Sequence, residues 1–212
     1  MPARNEASVI CARRTKPAVL AAALFIAPLG CAQADSPAAP DPIEHWAFDL
    51  YAGALFRPGS RAPLNDHTLV PVIPTLTSNA VMRRKLGSGE LVVRSRFSLL
   101  GIAIMDGPET HYVGLAAAPS FEWWNEKRTF SSFFSIGGGF GWLDSRGDTG
   151  YEAQGQDFNF NWFMHGGVRA QMNDRLGASL GMYFQHISNG HTNAVNPGID
   201  VVGPMLGISW RF

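Results

Sequence analysis

A histidine, a serine and a carboxylate stand near the end of this chain in a spacing that can activate a hydroxyl: His186, Ser188 and Asp200. A serine oxygen becomes nucleophilic when an imidazole in reach takes its proton and a carboxylate holds that imidazole in the accepting tautomer. The chemistry such a trio supports is acyl transfer, and it needs neither metal nor cofactor. Taken singly, each residue has an ordinary reading. A His and a Ser at the end of a strand are usual interfacial polar residues, and Asp200 could simply open its own strand.

The elements that would carry them decide the matter. In the run Gly177 to Ser188, the apolar phase Ala178, Leu180, Met182 and Phe184 continues into His186 and Ser188. In the last run, the phase Phe212, Trp210, Ile208 and Leu206 leads back through Pro204 and Val202 to Asp200. On adjacent antiparallel strands all three polar groups would face the same way. Residues two apart on a strand lie ~6.6 to 6.8 Å from each other, and opposed neighbours have Cβ atoms ~4.5 to 5.5 Å apart, so side chains can close both gaps.

Period-two alternation of this kind dominates the chain. Trp46, Phe48, Leu50, Ala52, Ala54 and Phe56 share one face. Arg94, Arg96 and Ser98 alternate with Val93, Ser95, Phe97 and Leu99, and Phe158, Phe160, Trp162, Met164 and Val168 alternate with Asn159, Asn161, His165 and Arg169. Strands are expected near 45–57, 69–84, 90–104, 111–123, 130–142, 156–171, 176–188 and 200–212. A polar face opposed to an apolar one describes either a soluble sandwich or a barrel in lipid. The barrel is favoured by the even number of strands, by the terminal strand ending on Phe212, and by aromatics at the expected strand ends (Trp46, Trp123, Trp124, Trp142, Tyr151, Trp210), placed as interfacial girdles are. The fold expected is all-β, an eight-stranded antiparallel transmembrane β-barrel. Its lumen would be too narrow for an open aqueous channel. The links at Lys85–Gly89 and Asn173–Arg175 would be the short turns of one end, and 189–199 a loop of the other. Gly137-Gly138-Gly139 precedes no helix-forming run and no Gly-Lys-Ser/Thr, so relief of crowding between strands accounts for it better than a phosphate loop.

The start of the chain reads as an export signal. Arg13, Arg14 and Lys16 precede an apolar run from Pro17 to Leu29 and the small-residue site Ala32-Gln33-Ala34, giving a signal peptide over 1–34 and a barrel domain over 35–212. A lipoprotein cut before Cys31 is disfavoured by Pro28, which stands where such signals carry leucine. Both cysteines, Cys11 and Cys31, would leave with the leader, which excludes disulfides and thiol chemistry in the mature chain. Removing Arg4, Arg13, Arg14, Lys16 and Glu6 from a balanced 17 basic and 17 acidic residues leaves 13 against 16, a mild balance that gives no case for nucleic acid. After the leader no apolar run approaches the ~20 residues of a membrane-spanning helix.

The run His186-Ile187-Ser188-Asn189, followed by Asn196-Pro197-Gly198-Ile199-Asp200 and a terminal strand, resembles the PagL family of lipid A 3-O-deacylases, as does Gln154-Gly155-Gln156-Asp157-Phe158. The resemblance implies an outer-membrane enzyme with its site near the outer leaflet, acting on lipid A or lipopolysaccharide as a serine esterase. Ser188 would be the nucleophile, His186 the base, and Asp200 the third member, where the family more often carries glutamate. It further implies oxyanion donors at the Asn189 side chain and the His191 backbone N–H, the latter where a glycine is usual. Two other readings stand beside it: a catalytically silent barrel that stiffens the membrane or binds a partner, and an outer-membrane phospholipase using the same serine. A metal site from His186, His191 and Asp200 lacks a recognisable ligand motif. His45, His67, His111 and His165 read as interfacial or lumen residues.

Overall fold

The computed structural model describes residues 41–58, 67–145 and 153–212. The leader, the segment up to Pro40 and Tyr151 lie outside them. Ten strands form one antiparallel sheet: β1 (Ala47–Gly53), β2 (Leu55–Phe56), β3 (Thr68–Thr77), β4 (Met82–Leu86), β5 (Gly89–Asp106), β6 (His111–Asn125), β7 (Phe130–Leu143), β8 (Phe158–Gln171), β9 (Leu176–Ser188) and β10 (Ile199–Arg211). Because β1 pairs with both β3 and β10, the sheet closes on itself. β1 and β2 are two parts of one stave, and β4 extends the β3 stave beyond a break. The result is a closed eight-stranded antiparallel barrel.

Closure pairs every stave on both sides around the ring, as lipid requires of a spanning sheet, while the β4 extension pairs with β5 alone among the described residues. The alternation places side chains as the sequence predicts. Phe48, Leu50, Phe97, Leu99, Phe160, Trp162, Leu206 and Ile208 lie exposed on the outside, while Asp49, Arg94, Arg96, Asn161, His165 and Arg169 are buried inside. The lumen is filled by a polar network. Arg169 reaches Glu122 (3.4 Å) and the Tyr51 hydroxyl (3.2 Å), Thr77 donates to Asp49 (2.5 Å), and Trp124 donates to Glu122 (2.8 Å). Charges taken out of water are tolerated only when paired and hydrogen-bonded in this way.

Two expectations need correction. The stave expected over 69–84 breaks: the chain advances from Thr77 to Met82 while its partner moves only from Arg96 to Val93. The two extra residues let Ala80 N donate to Ile43 O and Ser78 N to Ser95 O, packing the break around the lumen plug of Ile43, Val92 and Trp124. Trp124 itself is 0 % exposed, so it belongs to that plug and not to a girdle. The glycines of β7 do relieve crowding, since a Cβ on Gly139 would collide with the Leu115 carbonyl oxygen of β6.

Candidate active site

The phase that turns the trio outward is fixed from inside the barrel. Ile187, between His186 and Ser188, is 0 % exposed, and Ile199, just before Asp200, is 1 % exposed. The two isoleucines oppose one another across β9 and β10, one step from the opposed pair His186 and Asp200. Burying each is worth roughly 1.5 to 3 kcal/mol, and a one-residue slip would expose both while turning His186, Ser188 and Asp200 into the lumen.

The three side chains are joined. His186 Nδ1 lies 2.7 Å from Asp200 Oδ1, and His186 Nε2 lies 2.8 Å from Ser188 Oγ. An ionised carboxylate can only accept, so Nδ1 carries the proton it shares with Asp200, and Nε2 is left to accept from the serine hydroxyl. That is the tautomer a general base requires. The imidazole is about one quarter exposed and the Asp200 carboxylate about one half (26 % and 55 %).

The loop that follows is built around Asn189, whose side chain is wholly buried. Its Nδ2 donates to Val195 O (2.8 Å), its Oδ1 accepts from His191 N (3.0 Å), and its backbone N–H donates to Asn196 Oδ1 (2.9 Å). Gly190 and His191 both have positive φ (63° each), and Thr192 N returns to Asn189 O, the pattern of a type I′ turn. Both oxyanion donors expected from sequence therefore hold internal partners. Asn189 keeps the second hydrogen of its amide, whereas the single N–H of His191 is committed to orienting that amide. A further tie comes from the preceding loop: Gly155 N donates to Val195 O and Asn193 Nδ2 to Gly155 O, in a gap that a Cβ on Gly155 would fill. This is why the Gln154–Phe158 run and the Asn189–Asp200 run share one architecture.

Sequence reading missed three residues here. Asn196 fixes the Asn189 backbone. Gly198 (φ 71°) passes so close to the imidazole that a Cβ there would lie 3.4 Å from His186 Cε1. Trp162 stands directly opposite His186 on β8. Only the last could have been found, by counting the β8–β9 register back from the turn at Asn173–Arg175. The run Gly177-Ala178-Ser179-Leu180-Gly181 also spells Gly-x-Ser-x-Gly, but it lies within β9 with Ser179 buried toward the lumen, so it is no strand-to-helix elbow. Among the described residues no three His, Cys, Asp or Glu side chains are placed to hold a metal ion.

The family model described as lipid A 3-O-deacylase (PagL) matches residues 79–209, which span the break after β3, the trio and most of β10. The chain belongs to the PagL family. Among solved structures it is similar to the outer membrane enzyme PagL, with a TM-score of 0.51 and 17 % identity over 78 % of this chain and 99 % of that one. That likeness is one of fold. The outer membrane protein OprG from Pseudomonas aeruginosa follows at a TM-score of 0.37 and 10 % identity, over 79 % of this chain and 96 % of that one. No curated protein matches the chain significantly.

Proposed function

We propose that this chain is a lipid A 3-O-deacylase that works as a serine esterase from the lipid-facing side of its barrel, near the outer leaflet. The observation that carries the proposal is the continuous hydrogen-bonded line from Asp200 through His186 to Ser188 on that face. Membership in the PagL family supplies the substrate class.

The steps follow from the geometry. As Ser188 Oγ attacks the carbonyl carbon of the 3-linked acyl ester, its proton passes to His186 Nε2, and Asp200 stabilises the imidazolium that results. The oxyanion donor nearest the nucleophile in sequence is the second amide hydrogen of Asn189, held by Val195 O and His191 N; because that side chain is wholly buried, the 189–198 loop must open for it to meet the substrate. Collapse of the tetrahedral intermediate returns the proton from His186 to the departing sugar oxygen. Water, deprotonated by His186, then hydrolyses the acyl-serine and releases a 3-hydroxy fatty acid. The outward position suits a substrate that never leaves the bilayer, because the ester reaches the serine by lateral diffusion and no lumen passage is needed.

The test is to fold the barrel in detergent and offer it lipid A and glycerophospholipid separately, with both pools read by mass spectrometry. Loss of the 3-linked acyl group from lipid A supports the proposal. Phospholipid cleavage alone would make the protein a phospholipase, and cleavage of neither a silent barrel.

A further inference from the structure

The imidazole of His186 is unusually dependent on its neighbours. It sits on the outside of the barrel, and its two hydrogen bonds, to Asp200 and Ser188, are made through the ring nitrogens, whose lone pair and N–H lie in the ring plane. In-plane bonds fix where the two nitrogens point but give little resistance to tilting about the line that joins their partners. A ring face has to be held by packing, and the lumen, which packs the residues on either side of His186, cannot reach it.

Trp162 can. It is the residue opposed to His186 in the β8–β9 register, and its indole lies 5.9 Å from the imidazole, centroid to centroid, with the planes inclined by 34°. The indole is held in turn by Phe184, 4.9 Å away on the same outer face. At the Cε1 edge the imidazole faces Gly198, where an added Cβ would come to 3.4 Å. The ring is thus bounded by Asp200 and Ser188 at its two nitrogens, by the Gly198 position at its Cε1 edge and by the tilted indole of Trp162 beside it.

We propose that Trp162 is a positioning residue for the base, which braces the His186 ring and favours the imidazolium formed as Ser188 attacks. This rests on the assignment of His186 as the base. A cation over an indole face within about 6 Å of the ring centroid is attracted to it, weakly at an exposed site. The tilt and the distance keep that attraction small here, and the brace adds to it by keeping Nε2 aimed at Ser188 Oγ. A Trp that merely anchors the barrel at the membrane surface, or merely touches the acyl chain, would act on folding or on KM. A brace acts on kcat, because the charge it favours exists only during the chemical step.

The experiment compares Trp162→Leu and Trp162→Phe with wild type on lipid A in mixed micelles, after heat-modifiability has shown each barrel folded. The Leu variant is expected to lose about 3- to 10-fold in kcat with KM within about twofold, and the Phe variant, which keeps a ring face, to recover most of that loss. Should the Leu variant not fold, Trp162→Met replaces it with the same expectation, since it fills the space without a ring face. His186→Ala separates the two levels of the argument. If it is inactive while Trp162→Leu keeps the wild-type kcat, or changes KM alone, the base assignment stands and the role of Trp162 is overturned. If His186→Ala keeps full activity, both fall.

Discussion

Replacing Asp200 by Asn tests the third member of the trio, and the structure sets the size of the effect. The carboxylate lies 2.7 Å from His186 Nδ1 and is about half exposed (55 %), so water screens it far more than it would a buried triad acid. Two unit charges about 4 Å apart interact by about 1 kcal/mol in water and about 4 kcal/mol near a protein surface, and a half-exposed carboxylate falls midway, at about 2 to 3 kcal/mol of stabilisation for the imidazolium. At about 1.4 kcal/mol per decade, loss of the charge alone predicts a loss of about 30- to 150-fold in kcat for Asp200→Asn, a floor to which the wrong tautomer, the cause of the ~10⁴ loss in a serine protease triad, adds when the Asn amide donates to Nδ1. Asp200→Glu restores the charge but must fit one more methylene beside Gly198, and it should keep within about tenfold of the wild-type rate, as the loop 189–198 shifts to receive it. The assay is release of 3-hydroxy fatty acid from lipid A under single-turnover conditions, with folding checked by heat-modifiability. Wild-type turnover in a folded Asp200→Asn barrel would refute the reasoning and reduce the site to a Ser188–His186 dyad.

Two further outcomes follow from the loop. Asn189→Ala should lower turnover by about 10²- to 10³-fold, the scale of losing one oxyanion donor, and because it also frees Val195 O and His191 N, limited proteolysis should find the 189–198 loop more open. His191→Gly should leave the rate and the thermal midpoint close to wild type, because glycine accepts the φ of 63° without strain and the backbone N–H that orients Asn189 is retained. A folded but inactive His191→Gly barrel, read in the same release assay, would assign the imidazole a role of its own.

The fold was largely legible because a barrel in lipid writes its two faces into alternate residues. Phe97 and Leu99 against Arg96 and Ser98 need no tertiary knowledge to sort. The same rule could have corrected one error, for neighbouring strand residues face opposite ways and Trp123 and Trp124 cannot both be girdle residues. The break between Thr77 and Met82 was not legible, because it is set by what the chain meets there, Ile43 and the paired β5, and not by any residue within it. In the site, phase alone put His186, Ser188 and Asp200 on one face. What phase does not carry is who bonds to whom in a loop. Asn189 spends one amide hydrogen on Val195 and its oxygen on His191 through a turn with two positive φ angles, a geometry seen only when the loop is closed against Gly155.

The central claim is that Ser188 is the nucleophile that removes the 3-linked acyl chain of lipid A. Its most direct test is Ser188→Ala in a barrel of unchanged heat-modifiability, with lipid A and the released acids followed together by mass spectrometry. The wild type should yield lipid A lighter by one 3-hydroxyacyl group, in step with an equal amount of free 3-hydroxy fatty acid, and the variant neither. Deacylation by Ser188→Ala at the wild-type rate would contradict the account.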